Sequence, residues 1–355
     1  MEFQSLSEFI PFSHKPFIVA GPCSAETEEQ VYQTALQLSD IQNVKVFRSG
    51  IWKPRTRPNS FEGLGEKALP WLVKAAKDHG FFSATEVANA HHVELCLKAG
   101  IDILWIGART TVNPFTVQEI ADALQGVDKP VFVKNPVNPD IELWVGAIER
   151  IYYTGNCKIA AVHRGFSTAE KYEYRNAPTW EIPIELKRRF PKLPLICDPS
   201  HITGKRGLLQ KVSQKALDLD VDGLMIETHI DPDRALSDAQ QQITPQQLTQ
   251  LLSKLVYKQQ EGITQREHAE LEKLRQEIDE LDEKIIALLA NRMHISERIG
   301  GYKKQHQMTI LQLERWRHIF ESRTRQGSSL GLSERFLQKF LENLHKESIK
   351  RQEGE

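Results

Sequence analysis

Eight short apolar segments follow one another through the first 250 residues, and longer polar stretches separate them. The segments are residues 17–21, 44–49, 81–87, 103–108, 131–135, 159–165, 194–200 and 223–229. Short runs rich in Val, Ile, Leu and Phe are typical of parallel strands buried on both faces. Most stretches between them have helical length, for example "EEQVYQTALQLSD" at 28–40. Eight such units predict an α/β fold, a closed (β/α)8 TIM barrel, with a doubly wound open sheet as the alternative.

The C-terminal part of the chain has a different pattern. From about Arg266 it contains no proline, and apolar positions alternate at spacings of four and three. The stripe runs Leu274, Ile278, Leu281, Ile285, Leu288, Arg292, Ile295, Ile299 and Tyr302. A helix over about 267–305 would be roughly 60 Å long, too long for a small domain to cover alone. We therefore expect a small all-α helical domain with two further helices, which forms an intertwined dimer.

These two patterns divide the chain into domains. We expect a barrel over residues 1–255, a linker over 256–265 that includes Gly262, and the all-α domain over 266–355.

Composition narrows the class of protein. With 46 Lys and Arg against 47 Asp and Glu, the charge gives no reason to expect nucleic acid or an acidic membrane as a partner. No run of about 18 apolar residues predicts a membrane span. The first residues lack the pattern of a signal peptide, and four scattered cysteines do not form a disulfide framework. We therefore expect a cytoplasmic protein in a reducing compartment.

Every predicted strand ends in, or is followed by, an ionisable side chain or a thiol. In chain order these are Cys23, Arg48 with Lys53 and Arg55, Glu86, Arg109, Lys134, His163 with Arg164, Asp198 with His201, and Glu227 with His229 and then Asp238. One such residue alone is usually a solvated cap. Active sites of (β/α)8 barrels lie at the C-terminal ends of the strands, so eight filled ends favour one catalytic rim.

The rim residues fall into two chemical sets. The first is a thiol, an imidazole and two carboxylates, namely Cys23, His201, Glu227 and Asp238. This mixture suits a borderline divalent metal ion such as Mn²⁺, Fe²⁺ or Zn²⁺. The second is six cations, Arg48, Lys53, Arg55, Arg109, Lys134 and Arg164. Converging cations match carboxylates and phosphates, so we expect small phosphorylated acids as substrates.

The short motifs at these positions resemble one enzyme family. The segments "GPCS", "KPRT", "GARTT", "VKNP", "HRGF", "DPSH", "IETH" and "ALSD" together are similar to 3-deoxy-D-arabino-heptulosonate 7-phosphate (DAHP) synthases of the short, barrel-only type, over residues 10–250. The resemblance implies condensation of phosphoenolpyruvate with erythrose 4-phosphate. "KPRT" and the second domain argue against the related synthase that makes an eight-carbon keto acid from arabinose 5-phosphate.

The resemblance also implies roles for single residues. Cys23, His201, Glu227 and Asp238 would hold the metal, Mn²⁺ first, with Fe²⁺, Co²⁺ or Zn²⁺ as other options. Arg48, Lys53, Arg109, Lys134 and Arg164 would surround phosphoenolpyruvate, with Glu86 as a further substrate contact. Arg55 and Thr56 would take the sugar-phosphate end, and Lys53 would transfer a proton or contact the aldehyde.

In the helical part, Arg292 interrupts an apolar stripe. A cation at a core-facing position is costly unless it is paired, so it is either a bridged or snorkelling arginine or part of an anion site. Lys303 follows eleven residues later, about 20° away around the helix, and shares this face. Arg275 lies seventeen residues earlier and points elsewhere, which suits the site of a partner subunit.

These spacings resemble the all-helical chorismate mutases over residues 266–352. The resemblance implies the rearrangement of chorismate to prephenate without a cofactor. Arg275 from the other chain, Arg292 and Arg315 would bind the two carboxylates, and Lys303 and Gln352 would contact the ether oxygen, with Ser348 one turn earlier. Two departures stand out, since Gln312 and Trp316 replace acids that this family usually has.

The departures leave an alternative in which the helical domain is a non-catalytic, effector-sensing and dimerisation module. The chain begins about sixteen residues before its first strand, so we expect no separate N-terminal regulatory domain. We therefore expect the helical domain to mediate feedback inhibition of the barrel, with prephenate or chorismate as the effector.

Overall fold

The computed structural model describes residues 1–13, 15–53, 61–168, 173–257 and 265–354, and side chains from residue 268 onward in the last range. Its first part is a closed barrel of eight parallel strands in sequential order. The strands are β1 Phe17–Gly21, β2 Val44–Arg48, β3 Phe82–Val87, β4 Ile103–Ile106, β5 Val131–Lys134, β6 Ile159–His163, β7 Leu195–Cys197 and β8 Gly223–Glu227. Each lies within one of the predicted apolar segments, and the predicted closed barrel is confirmed.

Helices connect the strands and surround them. They are α1 Leu6–Phe9, α2 Glu28–Leu38, α3 Leu69–Asp78, α4 Ala90–Ala99, α5 Ala108–Thr111, α6 Pro114–Ala123, α7 Ile141–Tyr152, α8 Glu181–Arg189, α9 Pro199–Thr203, α10 Leu209–Asp218 and α11 Pro245–Ser253. Short helices α5 and α9 directly follow β4 and β7, so they lie at the C-terminal end of the barrel.

Alternation along the strands separates two apolar layers. In β1, Phe17 and Val19 point into the barrel, while Ile18 and Ala20 pack against the surrounding helices. Inside the barrel, Leu6 and Ile10 pack in the same cluster as Phe17. Helix α1 and its following residue therefore fill the N-terminal end of the barrel, opposite the end at which the strand-end side chains collect.

The second part of the chain is helical. The chain divides into two compact units, Met1–Lys258 and Gln259–Glu355. The second contains α12 Gln265–Gln305, α13 Leu313–Ser329 and α14 Glu334–Glu353. Both α12 and α13 pack against α14. The predicted all-α domain is thus confirmed.

Among the described residues, no helix is both long enough and apolar enough to span a membrane.

Candidate active sites

Two buried ion pairs form the centre of the barrel site. Arg48, at the end of β2, donates from Nη1 to Glu227 Oε1 at 2.6 Å, and the two side chains are 1% and 0% exposed. Lys134, at the end of β5, donates to Asp198 Oδ2 at 2.9 Å. Each pair joins two strands that are separated by a third, β2 with β8 and β5 with β7, and closure of the barrel brings their C-terminal ends to one rim.

Trp105 forms the floor beneath these cations. Its ring centroid lies 4.7 Å from Arg48 Cζ and 5.6 Å from Lys134 Nζ. Its Nε1 donates to Glu86 Oε2 at 3.0 Å. A Cβ atom at Gly107 would lie 2.0 Å from Glu86 Oε1, so a larger residue there would displace this carboxylate from its present position. Sequence reasoning missed Trp105, although its inward position follows from the alternation in β4.

Two more arginines of the predicted rim lie near this centre. Arg164, which follows β6, is 7% exposed, and Arg109 lies exposed in α5. Burial lowers the pKa of Arg164, the charge of Asp198 opposes this, and the positive charges of Arg175 and Arg109 add to it, so that the pKa is about 10. Arg164 is thus a buried cation with two further arginines close enough to affect its pKa. Such a site favours an anionic ligand.

The four candidate metal ligands lie at the same rim. Cys23 Sγ is 3.3 Å from Asp238 Oδ2, and His201 Nε2 is 3.7 Å from Glu227 Oε1. His201 Nδ1 lies 2.8 Å from Asp198 Oδ2. Within the described parts of the chain, no three histidine, cysteine or acidic groups have the arrangement of a metal site. The predicted ligands are thus brought together as two pairs.

Two of these candidate ligands, Cys23 and Asp238, interact with cationic side chains of the protein. Lys53 Nζ lies 2.9 Å from Cys23 Sγ and 3.0 Å from Cys23 O. Arg175 Nη1 lies 3.0 Å from Asp238 Oδ1. Burial, and then the charge of Glu227, raise the pKa of the Cys23 thiol to about 12. A thiol, an imidazole and two carboxylates that already attract cations have the donor chemistry of a divalent transition-metal site.

The carboxylates remain ionised despite their burial. Burial alone would raise the pKa of Glu227, but His201, Arg48 and Lys53 lower it. Burial likewise opposes ionisation of Asp238, and the charges of Arg175, His201 and Lys53 lower its pKa. Burial lowers the pKa of His201, which favours the neutral imidazole that metals bind.

Not every predicted rim residue reaches this site. His163 points outward from β6 into the helical layer, where its ring lies 5.1 Å from that of Trp180 and 6.5 Å from that of Trp144. The prediction that His163 lies at the rim is therefore wrong. Side chains alternate along β6, and because Val162 points into the barrel, His163 points outward. Arg55 and Thr56 lie outside the described residues.

The helical unit gathers a second polar cluster. Arg292 on α12 donates to Ser348 Oγ on α14. Lys303 Nζ donates to Gln352 Oε1 at 3.0 Å and is 8% exposed. The structure therefore joins four of the residues predicted for this pocket in two pairs, both between α12 and α14. Arg292 has no acidic partner among the described residues, and its burial lowers its pKa.

An aromatic stack forms one wall of this cluster. Trp316 on α13 lies parallel to His345 on α14, with ring centroids 3.8 Å apart and planes at 13°. Burial, followed by the charges of Arg292 and Lys303, lowers the pKa of His345. His345 had no signal in the sequence, because a single histidine on an amphipathic helix carries no motif.

Of the two other arginines predicted for this pocket, Arg275 lies away from the cluster. Arg275 pairs with Glu272 on α12, and seventeen residues of helix place it about 25 Å from Arg292 along the axis. Arg315 is exposed on α13. Arg275 and Arg292 of one chain therefore cannot serve the same pocket.

The first unit is thus a (β/α)8 barrel whose C-terminal rim presents carboxylates, a thiol and cations for small anions. The chain belongs to the DAHP synthetase I family, whose family model matches residues 10–264. Residues 274–353 match the model of chorismate mutase type II. Both resemblances found in the sequence are confirmed.

Individual relatives agree with these matches. The chain is 38% identical over 226 residues to the phospho-2-dehydro-3-deoxyheptonate aldolase of Thermotoga maritima, covering 64% of each, so it spans less than two thirds of that protein. It is 29% identical over 273 residues to a 2-dehydro-3-deoxyphosphooctonate aldolase of Desulfotalea psychrophila, covering 70% of this chain and 92% of the relative. A crystal structure of the Thermotoga maritima DAHP synthase superposes with a TM-score of 0.60 at 35% identity, covering 66% of each chain.

Proposed function

We propose that the barrel condenses phosphoenolpyruvate with erythrose 4-phosphate to form DAHP, the first step of the shikimate pathway. The main observation is the set of cations at the rim, where buried Arg48 and Lys134 lie over Trp105 and buried Arg164 lies close to them. The name of the Thermotoga maritima relative supports this reaction.

We assign different substrate contacts to the residues of the rim. The phosphate and carboxylate of phosphoenolpyruvate are bound by Arg109, Lys134 and Arg164. Arg48, which is paired with the buried Glu227, also contacts phosphoenolpyruvate. Fixed cations orient both substrates without reorganisation during the reaction. The same cations stabilise the phosphate that leaves after the enol carbon has attacked the aldehyde and water has added at C2. Arg55 and Thr56 bind the sugar phosphate.

We propose a divalent metal ion, Mn²⁺ first and Fe²⁺, Co²⁺ or Zn²⁺ as other options, held by Cys23, His201, Glu227 and Asp238. When bound it polarises the aldehyde as a Lewis acid. Lys53, whose Nζ touches Cys23 Sγ, stands between these ligands and the cations. From there it contacts the aldehyde oxygen or transfers a proton to it. Glu86, held by Trp105, is a further substrate contact.

The alternative barrel reaction uses arabinose 5-phosphate and gives an eight-carbon keto acid phosphate. Its support is the more distant relatives named 2-dehydro-3-deoxyphosphooctonate aldolases. The test measures phosphoenolpyruvate consumption by the purified full chain with each aldose phosphate in turn. We expect turnover with erythrose 4-phosphate; turnover with arabinose 5-phosphate alone would reverse the assignment.

We propose that the helical unit rearranges chorismate to prephenate. The supporting observation is two polar pairs between α12 and α14, Arg292 with Ser348 and Lys303 with Gln352, in which Arg292 has no acidic partner among the described residues. Arg292 and Arg315 bind the carboxylates, and Lys303 with Gln352 contacts the ether oxygen. Such a pocket favours the compact, charge-separated transition state and needs no nucleophile or metal.

The alternative is a non-catalytic module that senses an effector and dimerises. It is favoured by Trp316 and Gln312, which stand where acids are usual in this family. Chorismate consumption and prephenate formation by the full chain decide between the two. Binding of prephenate without any turnover of chorismate would establish the module and remove the second enzyme activity.

We propose that the helical unit forms a homodimer in which Arg275 of one chain completes the pocket of the other. The apolar stripe of α12 supports this, since Ile278, Leu281 and Ile285 are 57%, 56% and 50% exposed in the single chain. A heptad stripe of this length needs a covering helix.

Ile285→Asp is expected to convert the dimer to a monomer and to remove mutase activity, because it places a charge in the stripe. Sedimentation velocity and prephenate formation measure the two effects. Lys284→Asp is the matched control, one residue away and outside the stripe, and should leave a dimer. A wild-type chain that sediments as a monomer would contradict the proposed assembly.

We also propose that prephenate or chorismate, bound in the helical pocket, inhibits the barrel. Such an effect requires the ligand to favour one functional state of the chain over another, with couplings usually of about 1–3 kcal/mol. Arg292→Ala is expected to make the DAHP synthase insensitive to prephenate, because this variant loses the effector's carboxylate partner. Inhibition curves of both proteins test this. Equal sensitivity would place the effector site elsewhere.

We place the domain boundaries at 1–255, 256–265 and 266–355, supported by the two compact units of the chain.

The state of the cysteines supports a reducing, cytoplasmic setting, since four are free, namely Cys23, Cys96, Cys157 and Cys197.

A further inference from the structure

Arg175 lies in the segment between β6 and α8 and contacts the rim of the barrel from outside the recognised motifs. Its Nη1 donates to Asp238 Oδ1 at 3.0 Å and to Gln241 Oε1 at 2.9 Å. The guanidinium also lines a cavity of about 380 Å³ at this rim, together with Lys205 and Asp238. One nitrogen atom thus binds two residues of the segment that follows β8.

Gln241 extends this connection to the second carboxylate. Its Nε2 donates to Glu227 Oε2 at 2.7 Å, and its side chain is buried. The same amide therefore accepts from Arg175 and donates to Glu227, which fixes its orientation. Arg175 is linked directly to Asp238 and through one amide to Glu227, the two carboxylates proposed as metal ligands.

The backbone around Arg175 is held against the helix that carries His201. Asn176 Nδ2 donates to His201 O at 2.7 Å, and Asn176 N donates to Ile202 O at 3.0 Å. A Cβ atom at Gly204 would lie 2.7 Å from Arg175 Cβ, so glycine permits the close approach of the two segments. Arg175 is therefore fixed at its base as well as at its guanidinium.

We propose that Arg175 is a positioning residue that orients Asp238 and Glu227 for the divalent metal ion and thereby sets the metal affinity of the barrel. This inference rests on the proposed metal site. Hydrogen-bond partners of ligating side chains restrict their rotation, and loss of such a partner typically weakens metal binding about 10–100-fold. Arg175 acts through the ligands and does not itself bind the metal.

The test measures Mn²⁺ affinity of the full chain by isothermal titration calorimetry without substrates. Arg175→Met is expected to raise the Kd for Mn²⁺ about 10–100-fold, because the apolar side chain keeps the packing against Gly204 but cannot donate. Arg175→Lys keeps a hydrogen-bond donor and the positive charge, so we expect its Kd for Mn²⁺ to lie between those of the wild type and Arg175→Met. Lys205→Met removes a cation from the same cavity and should leave the Kd within about twofold.

The outcomes separate this inference from the metal site itself. Wild-type affinity in Arg175→Met overturns the positioning role while the metal site stands. A wild-type chain that binds no Mn²⁺ or other divalent transition metal overturns both. Gln241→Leu removes the amide that joins Arg175 to Glu227 and leaves the bond from Arg175 to Asp238, so it should also weaken Mn²⁺ binding and decides the question if Arg175→Met does not fold. If Lys205→Met lost as much Mn²⁺ affinity as Arg175→Met, the effect would be one of overall charge, and the inference would be overturned.

Discussion

Arg292→Ala is expected to reduce chorismate rearrangement by about 10²–10⁴-fold while DAHP formation in the same preparation stays near the wild-type rate. Loss of one partner from a desolvated, charged hydrogen-bonded pair costs about 3–5 kcal/mol, which gives this range of rates. Arg292 is partly buried between α12 and α14, and Ser348 already fixes its Nη1. Prephenate formation under single-substrate conditions is the measurement.

A control variant on the same helix tests whether the effect of Arg292→Ala is specific to the pocket. Arg298 lies six residues further along α12 and is exposed, so Arg298→Ala removes an arginine from the same helix without entering the pocket. We expect normal turnover from this variant. Thermal unfolding of both proteins should be similar, because Arg292 pairs with a neutral hydroxyl and not with a buried acid. Unchanged prephenate formation in Arg292→Ala would remove this pocket as the site of the reaction.

The barrel could be predicted because two independent signals agree along its sequence. Apolar runs such as Phe17–Gly21 and Val131–Lys134 have the length of buried parallel strands, and each is followed by a charged group or thiol. Closure brings all strand ends to one rim, so a pattern spread over 200 residues becomes a local site. The positions of Arg48, Lys134 and Glu227 in the structure follow from this topology.

Other features depend on tertiary contacts that a linear pattern does not contain. His163 ends a strand, yet the alternation directs it outward against Trp180. Arg175 has no motif, and its contact with Asp238 arises because two different strand-to-helix segments meet in space. In the helical unit, the stack of Trp316 on His345 joins two helices with no fixed spacing between them in sequence. Residues that act across elements are visible only once the elements have packed.

The residue with the largest expected effect in the barrel is Cys23. If its thiolate binds the metal, Cys23→Ala should lower DAHP formation by at least about 10²–10³-fold, because a metal contributes several kcal/mol of transition-state stabilisation. The side chain is fully buried against Asp238 and Lys53, so no other donor can take its place without movement of the rim. Chelation of the wild-type chain should give the same loss, and Mn²⁺ should restore it.

Cys96→Ala provides the matched control for this variant. Cys96 is another fully buried thiol, on α4, and burial raises its pKa to about 12, as it does for Cys23. It packs in the apolar layer outside the barrel, so its removal should leave the rate of DAHP formation unchanged. Mutase activity should survive chelation and both substitutions, because no metal is proposed for the helical pocket. Full DAHP formation by metal-free Cys23→Ala would show that the thiol is not a ligand, and that the rim cations, with Lys53 at the aldehyde, suffice for the reaction.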